Sequence, residues 1–342
     1  MRLLILTQKV DKNDDLLGFF HGWLIEFAKN YDHVTVLCLG KGEYSLPDNV
    51  EVLSLGKETG VSNVAYVRNF YRYIWQKRYA YDAVFVHMNA EYVALGGIFW
   101  RLWRKKLALW YNHPKGSVWL RISHILPHVI FCTSPFAYSK RYKKTHIMPA
   151  GVDTNVFTDM RSERKKNSIL LLGRISPVKR VHVFAEALTL LSERHVSFSA
   201  TIVGNAPPQD TVYEQSVAAT LKPLSEKGMV VRSGSVPNYQ APEVYNTHVF
   251  YVNLTPTGSM DKTILEAMAC GCIPIVSNRF YEGVLPGELI FKEDDAHDLS
   301  VKIKSLFSES LSRLEARRKE YRAYVERDQS LAALMKACRE YL

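Results

Sequence analysis

Short apolar runs alternate with segments of helical length along the whole chain. In the first half, the runs that resemble strands are residues 3–7, 34–39, 50–55, 83–87, 107–111, 129–133 and 146–148. Segments such as 19–29 and 63–76 separate them and are long enough for helices. Continuous apolar strands that alternate with helices predict a parallel sheet that is covered on both faces.

The same alternation restarts after a polar run at residues 158–168. The later strand-like runs, which predict a second sheet, are residues 169–172, 198–203, 229–232, 249–254 and 273–276. A chain of 342 residues is long enough for two domains of ordinary size. We therefore predict an α/β protein with two doubly wound, Rossmann-like domains that face each other across a cleft.

The apolar runs are too short for a membrane protein. None reaches the roughly 18 to 20 residues that a membrane-spanning helix needs, and the run at residues 1–7 is too short for a signal peptide. We therefore expect a cytoplasmic protein. Of its five cysteines, Cys38 and Cys132 lie in apolar runs, so we expect buried reduced thiols. Cys270 and Cys272 are one residue closer than a metal knuckle requires, and we expect no metal.

Positive charge is concentrated in the first half of the chain. The net charge is +10; residues 1–150 hold 20 Lys/Arg against 11 Asp/Glu, and residues 151–342 hold 24 against 23. An anionic membrane surface, an acidic or phosphorylated acceptor, or nucleic acid would suit this field. Trp100 and Trp103 lie among basic residues in the segment 96–110, as in an interfacial helix. A helix that packs on the sheet by its aromatic face explains the same residues.

The segment 255–277 is the clearest motif in the chain. It contains a loop of small polar residues, a helix predicted to begin near Lys262, a stop at Gly271 and a buried strand. Such a loop directs backbone N–H groups and the positive end of a helix dipole at an anion. Glu266, one turn into the helix, can accept hydrogen bonds from ribose hydroxyls; a solvated helix carboxylate is the alternative.

The sequence Leu-Glu-Ala-Met-Ala-Cys-Gly-Cys-Ile-Pro-Ile at 265–275 resembles the signature helix of retaining GT-B glycosyltransferases of family 4. The segment 149–157 resembles the interdomain element of that family, although a strand-to-turn junction would look similar. By this resemblance, the last apolar helix returns to the first domain. The domains are then 1–157 with 328–342, and 158–327.

Two basic residues flank a tight turn at the start of the second domain. Arg174 follows Gly173 at the end of a strand, and Lys179 follows Ser176 and Pro177. Two cations on the two sides of a turn can bind a diphosphate, Arg through paired hydrogen bonds and Lys as a point charge. The spacing resembles the family element that neutralises the leaving nucleoside diphosphate, and the family often has glycine at the position of Arg180. Taken alone, such residues are more often solvated.

Other strand ends offer further candidates. His113 ends the fifth strand, where the resemblance implies a histidine that contacts the donor sugar or acceptor, and His87 competes for this role. Gly18 can let the backbone approach a phosphate, although a plain helix-entry turn explains it equally well. The resemblance also implies that the loops at 202–205 and 231–237 hold the base.

The resemblance implies a hexosyltransferase of glycan biosynthesis that retains configuration and moves a sugar from a UDP- or GDP-type donor, without a bound cofactor or metal. The expected catalytic residues are His113, Arg174 and Lys179, and the expected donor-binding residues are Gly18, Gly173, Ser259, Met260, Asp261, Lys262, Thr263 and Glu266. The expected partners are a glycan or lipid-linked acceptor and, as an open alternative, the inner face of an anionic membrane, but not nucleic acid.

One position departs from the family pattern. Gly258 stands where the family has a second glutamate, eight residues before Glu266, that helps to read the donor sugar. Asp261 and Lys262, which replace a glycine and an apolar residue of the family, are candidates for that role. Two alternatives stay open: a non-catalytic protein that binds nucleotide sugars, and a GT-B relative that processes sugar phosphates.

Overall fold

The computed structural model describes residues 1–14, 16–258 and 260–342, which form two compact α/β units. The first unit is Met1–Asp153 together with Ser330–Leu342, and the second is Thr154–Gln329. Each unit contains one parallel sheet with helices, so the predicted α/β class with two Rossmann-like domains is confirmed. The units divide the chain at 153/154 and 329/330, whereas the predicted divisions are at 157/158 and 327/328.

The first unit contains a seven-stranded parallel sheet. Its strands are β1 (Arg2–Val10), β2 (His33–Lys41), β3 (Val50–Ser54), β4 (Ala83–His87), β5 (Lys106–Trp110), β6 (Val129–Cys132) and β7 (Thr145–Ile147). They lie in the order β3-β2-β1-β4-β5-β6-β7. In β1, Leu3 pairs with Val34 of β2 on one side and with Ala83 of β4 on the other. Every predicted apolar run of this half therefore overlaps a strand.

Helices cover both faces of the first sheet. They are α1 (Gly18–Asn30), α2 (Asn63–Gln76), α3 (Ala90–Leu102), α4 (Val118–Ser123) and a C-terminal helix (Leu331–Tyr341). Helix α1 and the C-terminal helix pack in one apolar core with Leu3 and Ile5, whereas α2, α3 and α4 pack in another with Leu4 and Leu6. The alternation of side chains along β1 thus separates the two cores.

Gly151 allows the C-terminal helix to pack closely on the first unit. Its φ is +71°, and a Cβ atom there would lie 2.5 Å from Leu334 Cδ2 and 2.8 Å from Trp23 Cζ2. The indole of Trp23 donates a hydrogen bond of 3.0 Å to the Gly151 carbonyl, and the amide of Leu331 donates one of 2.7 Å to Val152. Only glycine fits both the backbone conformation and this space.

The second unit contains a five-stranded parallel sheet. Its strands are β8 (Ser168–Leu172), β9 (Ser199–Val203), β10 (Val230–Ser233), β11 (Phe250–Asn253) and β12 (Ile273–Val276), in the order β10-β9-β8-β11-β12. The helices are α5 (Val181–Glu193), α6 (Thr211–Glu226), α7 (Ala241–Asn246), α8 (Lys262–Ala269), α9 (Ala296–Phe307) and α10 (Leu311–Tyr324). A π-helical turn, Val325–Gln329, precedes the C-terminal helix.

Both sheets are doubly wound from an inner strand. In the first sheet the chain places β2 and β3 on one side of β1 and then begins the other side with β4; in the second, β8 lies between β9 and β11. The strand order therefore reverses between β1 and β4, and between β8 and β11. Ligands of open α/β sheets bind at such a point, beyond the carboxyl ends of the strands.

Two explanations were open for the segment 96–110, an interfacial helix and a helix that packs on the sheet by its aromatic face. Helix α3 ends at Leu102 and β5 begins at Lys106, so the segment is not one helix. Trp100 is fully buried, and its indole N–H donates to the Tyr81 hydroxyl at 3.1 Å, so it packs on the sheet as the alternative expected. In the described part of the chain, no helix is both long and apolar enough to cross a bilayer. All five cysteines are buried free thiols, as predicted.

Candidate active site

Lys179 connects the two loops at the reversal point of the second sheet. It ends the short 3₁₀ turn Pro177–Lys179, which follows β8, and its ammonium forms an ion pair with Asp261, just before α8. The ammonium also donates a hydrogen bond of 3.1 Å to the Thr255 hydroxyl, in the loop after β11. A cation is therefore fixed at the place where the topology predicts a ligand.

Asp261 is the centre of a hydrogen-bond network. Its Oδ1 caps α8 by accepting from the Thr263 amide at 3.2 Å and the Thr263 hydroxyl at 2.8 Å. Its Oδ2 accepts from Thr255 Oγ1 at 2.8 Å and Asn253 Nδ2 at 3.0 Å, besides the ammonium of Lys179. The carboxylate is thus satisfied by five donors from both loops.

These contacts decide the charge of Asp261. Its side chain is only 10% exposed, and burial alone would raise the pKa of the carboxyl. The charge of Lys179 and the hydrogen bonds from Lys179, Asn253 and Thr263 outweigh burial and hold the pKa of Asp261 well below its usual range. Asp261 is therefore an anion that fixes the position of the Lys179 ammonium.

The network changes what the predicted anion site can offer. The Thr263 N–H belongs to the cap formed by Asp261, and the Thr263 hydroxyl accepts from Tyr251 at 2.7 Å. Helix α8 begins at Lys262 as predicted, but this amide is not free for a ligand in the arrangement described. Among the described residues, Asp261 and Thr255 use two of the three N–H donors of the Lys179 ammonium, which leaves one for a ligand.

Arg174 is a second cation at the same edge of the sheet. It follows Gly173 directly after β8, and its side chain is exposed. Among the residues that the structure describes, none accepts a hydrogen bond from its guanidinium or forms an ion pair with it. A Cβ atom on Gly173 would meet nothing within 4 Å, so the space beside this residue is open. A free guanidinium beside open space is suited to bind an anion.

Arg180 has a different role from Arg174 and Lys179. Its φ of +48° is in the left-handed region, which favours glycine. Its guanidinium forms ion pairs of 3.1 Å with Glu293 and of 3.1 Å with Asp294. Glu293 also accepts from the Thr257 amide at 2.8 Å, so Arg180 helps to hold the loop after β11.

Glu266 is buried in the first turns of α8. Glu266 is only 5% exposed, so the alternative of a solvated helix carboxylate is wrong. Burial raises the pKa of Glu266 and lowers that of Lys262, and the opposite charge of each partner acts against that shift. Asn238 and Tyr245 donate to Glu266 over long distances of 3.5 Å each, which leaves its oxygens able to accept further hydrogen bonds.

Two predicted donor-binding residues remain. Met260 is half-buried before α8. Ser259 lies outside the described residues. The loops that were expected to hold a base are joined by a hydrogen bond of 3.0 Å from Asn205 to Ser235, after β9 and β10 respectively. Seven of the predicted residues thus lie at the carboxyl edge of one sheet: Gly173, Arg174, Lys179, Asp261, Lys262, Thr263 and Glu266.

Asn253 and Tyr251 are site residues that were not predicted from the sequence. Asn253 is the last residue of β11, and its amide donates to the Asp261 carboxylate, to Thr263 at 3.2 Å and to the Tyr251 hydroxyl at 3.3 Å. The signal was available, because an asparagine that ends an otherwise apolar strand needs polar partners. Its partners could not be read from the sequence.

The remaining predicted residues, His113 and Gly18, belong to the first unit. His113 is exposed after β5; its Nδ1 lies 2.9 Å from the Lys115 carbonyl and 3.0 Å from the Lys115 amide. Gly18 is buried at the start of α1, and its amide donates to the Asp14 carbonyl at 2.9 Å. The competing His87 is buried and stacked on Phe20 with ring centroids 4.3 Å apart, which is a structural position.

The Asp14 carboxylate occupies the helix start that Gly18 was expected to open for a phosphate. It accepts from the amides of Leu16 at 3.0 Å and Leu17 at 2.8 Å and forms an ion pair of 2.9 Å with Lys9. A carboxylate of the chain thus satisfies the donors that a phosphate would need. Among the described residues, no three His, Cys, Asp or Glu side chains are grouped as a metal site requires.

Several solved structures match this fold over nearly the whole chain. HepE (Alr3699) from Anabaena, in complex with UDP and glucose, matches with a TM-score of 0.77 at 15% identity, over 99% of this chain and 98% of that chain. A further HepE structure, with UDP-glucose, has a TM-score of 0.74 at 16% identity, with 99% and 98% covered. Sucrose-phosphate synthase (tll1590) from Thermosynechococcus elongatus has a TM-score of 0.75 at 16% identity, also with 99% and 98% covered.

A third protein matches along the whole chain. WaaG, a glycosyltransferase involved in lipopolysaccharide biosynthesis, has a TM-score of 0.67 at 15% identity, over 100% of this chain and 99% of that chain. No curated protein sequence matches significantly. Residues 166–309 match the family model described as Glycosyl transferases group 1. The chain therefore has the GT-B glycosyltransferase fold over its full length and, in most of its second unit, the sequence pattern of that family.

Proposed function

We propose that the protein is a glycosyltransferase that moves a sugar from a nucleoside diphosphate sugar to an acceptor hydroxyl. The observation that carries the proposal is the Lys179 ammonium, fixed by Asp261 at the strand-order reversal of the second sheet, with the free guanidinium of Arg174 at the same edge. The match of residues 166–309 to Glycosyl transferases group 1 supports it, because both cations lie inside that segment.

The proposed donor is a hexose attached to a nucleoside diphosphate of the UDP or GDP type. HepE, which shares the fold, binds UDP and UDP-glucose, and this supports a nucleotide sugar as the ligand class. We assign the ribose to Glu266, whose oxygens accept long hydrogen bonds of 3.5 Å from Asn238 and Tyr245. The loops joined by Asn205 and Ser235 are assigned to the base.

In the proposed reaction, Lys179 and Arg174 stabilise the leaving group. The bond between the anomeric carbon and the phosphate oxygen breaks, and negative charge grows on the diphosphate. Hydrogen bonds to charged groups contribute about 1.5–3 kcal/mol each, and they accelerate the reaction if they strengthen as this charge develops. Because side-chain cations supply the positive charge, the proposed mechanism needs no metal.

The proposed stereochemical course is retention. The acceptor oxygen approaches the anomeric carbon on the face that the diphosphate leaves and forms the new bond there. Its proton passes to a phosphate oxygen of the departing diphosphate, so that no nucleophile of the protein is consumed. His113 is proposed to contact the donor sugar or the acceptor. The acceptor class that we propose is a glycan precursor, including lipid-linked ones.

The contacts of Asp261 give it a positioning role in this proposal. The sequence left Asp261 and Lys262 as candidates to replace the sugar-reading glutamate of the family. The oxygens of Asp261 instead accept hydrogen bonds from Lys179, Thr255, Asn253 and Thr263. We therefore infer that it holds Lys179 for the diphosphate.

A non-catalytic protein that binds nucleotide sugars is the second candidate, and Gly258 favours it. Its φ is +128°, and a Cβ atom there would meet nothing within 4 Å. The loop therefore has room for the missing glutamate side chain but a backbone conformation that favours glycine. Isothermal calorimetry and a turnover assay separate the candidates: an enzyme releases nucleoside diphosphate from nucleotide sugars in the presence of acceptor extract, and a binding protein does not.

A paired substitution tests the role of Lys179. Lys179→Met removes the cation but leaves the Asp261 carboxylate buried, so it is expected to lose both stability and transfer. Lys179→Met combined with Asp261→Asn removes both charges and is expected to recover most of the stability, while transfer stays at least roughly 100-fold below wild type. Wild-type turnover in the double variant would contradict the proposed role of Lys179.

His113→Ala tests the first unit separately. The variant is expected to bind nucleoside diphosphate like the wild type and to transfer more slowly, because the proposed contact is with the sugar or acceptor. The exposed ring has local contacts with Lys115, so little stability should be lost. Loss of folding with no specific loss of transfer would instead assign His113 a structural role.

The proposed location is the cytoplasm, with attachment to the inner face of the membrane. The support for attachment is the excess of positive charge in the first half of the chain, +9 over residues 1–150 from 20 Lys/Arg and 11 Asp/Glu.

A further inference from the structure

Positive charge and exposed apolar side chains coincide on one face of the first unit. Residues 60–126 hold ten Lys/Arg and two Asp/Glu, so this stretch alone carries +8 of the net charge of +10. The stretch contains α2, α3 and α4, which pack on the same face of the seven-stranded sheet. We call the outer surface of these three helices the helical face.

The three helices form one continuous layer. The Tyr71 hydroxyl of α2 donates a hydrogen bond of 3.2 Å to the Leu95 carbonyl of α3. The Ser123 hydroxyl of α4 donates at 3.5 Å to the Ala90 carbonyl of α3. Gly97 of α3 lies against Leu126, beyond α4, so closely that a Cβ atom would be 2.8 Å from Leu126 Cδ1. The exposed sides of these helices therefore belong to one surface.

Large apolar side chains point outward from all three helices. Val64 is 78% exposed, Leu102 is 73% exposed and Val118 is 70% exposed. Other exposed apolar residues of the helical face are Trp75, Ile98 and Ile122. Single exposed apolar residues are ordinary, but a group of them on adjacent helices marks an interaction surface.

An aromatic cavity opens among these residues. It has a volume of about 500 Å³ and lies between α2 and α3, where Tyr71, Trp75, Phe99 and Trp103 line it with Arg72. Tyr71 packs edge-on against Phe99, and Trp75 against Trp103, with ring centroids 5.8 Å apart in each pair. Aromatic rings beside a guanidinium are typical of surfaces that lie at a membrane–water boundary.

Four basic side chains of α2, α3 and α4 form no ion pair within the part of the chain that the structure describes. Arg68, Arg72, Arg101 and Arg121 are all exposed. None of the four forms an ion pair with another described residue. Of the two acidic residues in the stretch, Asp82 pairs with Arg2 at 2.9 Å, which leaves Glu91 as the acidic residue of the three helices. The partner of this face must therefore supply negative charge as well as an apolar phase.

We propose that the helical face docks on a lipid bilayer that contains anionic phospholipids. The apolar side chains enter the headgroup region, and the arginines bind the lipid phosphates. Both properties are needed, because each basic residue near an anionic bilayer strengthens binding by roughly fivefold and burial of apolar side chains adds to it. The proposal does not depend on the enzymatic activity, since it uses no residue of the second unit.

Vesicle flotation with the full-length protein, without nucleotide, tests the proposal. The vesicles are phosphatidylcholine alone, or phosphatidylcholine and phosphatidylglycerol in equal amounts. The variant Ile98→Ser/Leu102→Ser removes two apolar side chains of the face, and Arg68→Glu/Arg72→Glu reverses two charges. The matched control, Val212→Ser/Leu311→Ser, replaces two apolar residues of the second unit that are each 79% exposed.

The wild type and the control are expected to float with the anionic vesicles and not with the neutral ones. The apolar variant is expected to bind at least roughly tenfold more weakly than the wild type. The charge variant is expected to bind at least roughly 25-fold more weakly, because each of the two arginines contributes roughly fivefold. Salt should weaken the binding that remains.

Three outcomes would overturn the proposal. The first is that the wild type fails to float with anionic vesicles. The second is that both variants of the helical face bind as the wild type does. The third, measured by light scattering, is that the wild type is a dimer and Ile98→Ser/Leu102→Ser makes it a monomer; the face would then be an interface between two copies of the chain. Nucleotide binding, measured in parallel, is expected to be unchanged in all variants.

Discussion

At the scale of single residues, Asp261 determines how the main cation of the site is held. Its carboxylate accepts hydrogen bonds from the start of α8 and from the end of β11, and it forms an ion pair with Lys179. The family resemblance implies a glycine at this position, where this chain has a carboxylate with a hydrogen-bond network. An ammonium that is already positioned loses less freedom when a diphosphate binds, but the ligand must share it with a carboxylate.

We predict that Asp261 stabilises the fold at neutral pH and loses this effect in acid. The pKa of Asp261 is lowered in the folded protein, chiefly by Lys179 acting against burial, from an unfolded value of about 3.9. A lowered pKa of an acid stabilises the fold above the unfolded pKa, and the stabilisation is lost as the pH falls towards the folded pKa. Asp261→Asn should therefore cost about 2 kcal/mol at neutral pH and less below about pH 4.

Urea unfolding of the wild type and Asp261→Asn, measured in parallel from neutral pH into acid, tests this prediction. The difference between the two unfolding free energies should shrink as the pH falls, because protonation removes the same charge that the substitution removes. A difference that stays constant with pH would show that the ion pair with Lys179 does not lower the pKa of Asp261.

At the scale of elements, the ends of neighbouring strands pack against each other through glycine. Gly173 follows β8 with a φ of +149°, and Gly204 follows β9 with a φ of +148°. A Cβ atom on Gly204 would lie 2.0 Å from the Gly173 carbonyl oxygen, whereas a Cβ atom on Gly173 would meet nothing within 4 Å. The two positions thus share a conformation but differ in the space around them.

We predict that Gly204→Ala is much more damaging to stability than Gly173→Ala. The first substitution must displace backbone and should cost roughly 3 kcal/mol; the second introduces only conformational strain, roughly 1–2 kcal/mol. Gly173→Ala should instead weaken nucleoside diphosphate binding, because its methyl group enters the open space beside Arg174. Urea unfolding and calorimetry measure the two effects. Equal losses of stability in the two variants would contradict the close packing of these loops.

Elements were predicted from the sequence where periodicity and turn residues agree. The expected helix at 63–76 is α2, and α8 begins at Lys262 as its spacing indicated. For the segment 96–110 the sequence left two explanations open, and the structure shows that Trp100 is buried against Tyr81. An aromatic residue beside basic residues in the sequence does not tell which side of the helix packs on the sheet. That is decided by packing between elements that are distant in the chain.

Contacts between distant parts of the chain also limited the prediction of the site. The cations Arg174 and Lys179 were identified from the turn around Pro177, and the strand order places that turn beside the loop after β11. The ion pair between Lys179 and Asp261 joins residues 82 positions apart, and no local pattern indicates it. The loop before α8 was expected to direct backbone N–H groups at an anion, and the cap that Asp261 forms with the Thr263 N–H was not predicted.

At the scale of the whole molecule, the chain builds two units and returns to the first. The last residues, Ser330–Leu342, belong to the first unit, and Leu334 packs there beside Trp23 and Gly151. Each unit has its own sheet and buried core, so we expect a core substitution to lower the stability of the unit that contains it. The cations Arg174 and Lys179 lie in the second unit alone, so the proposed diphosphate contacts stabilise that unit directly.

We predict that core substitutions in the two units, combined with nucleotide, identify the unit that binds the donor. Leu334→Ala in the first unit and Leu306→Ala in the second each truncate a side chain that is at most 1% exposed, and each should cost about 2–5 kcal/mol. Calorimetry should show two unfolding transitions, one lowered by each variant. Nucleoside diphosphate at 100 times its Kd should raise the second-unit transition by the equivalent of about 2.7 kcal/mol. If it raises only the transition that Leu334→Ala lowers, the donor binds to the first unit, and Lys179 and Arg174 do not form the diphosphate site.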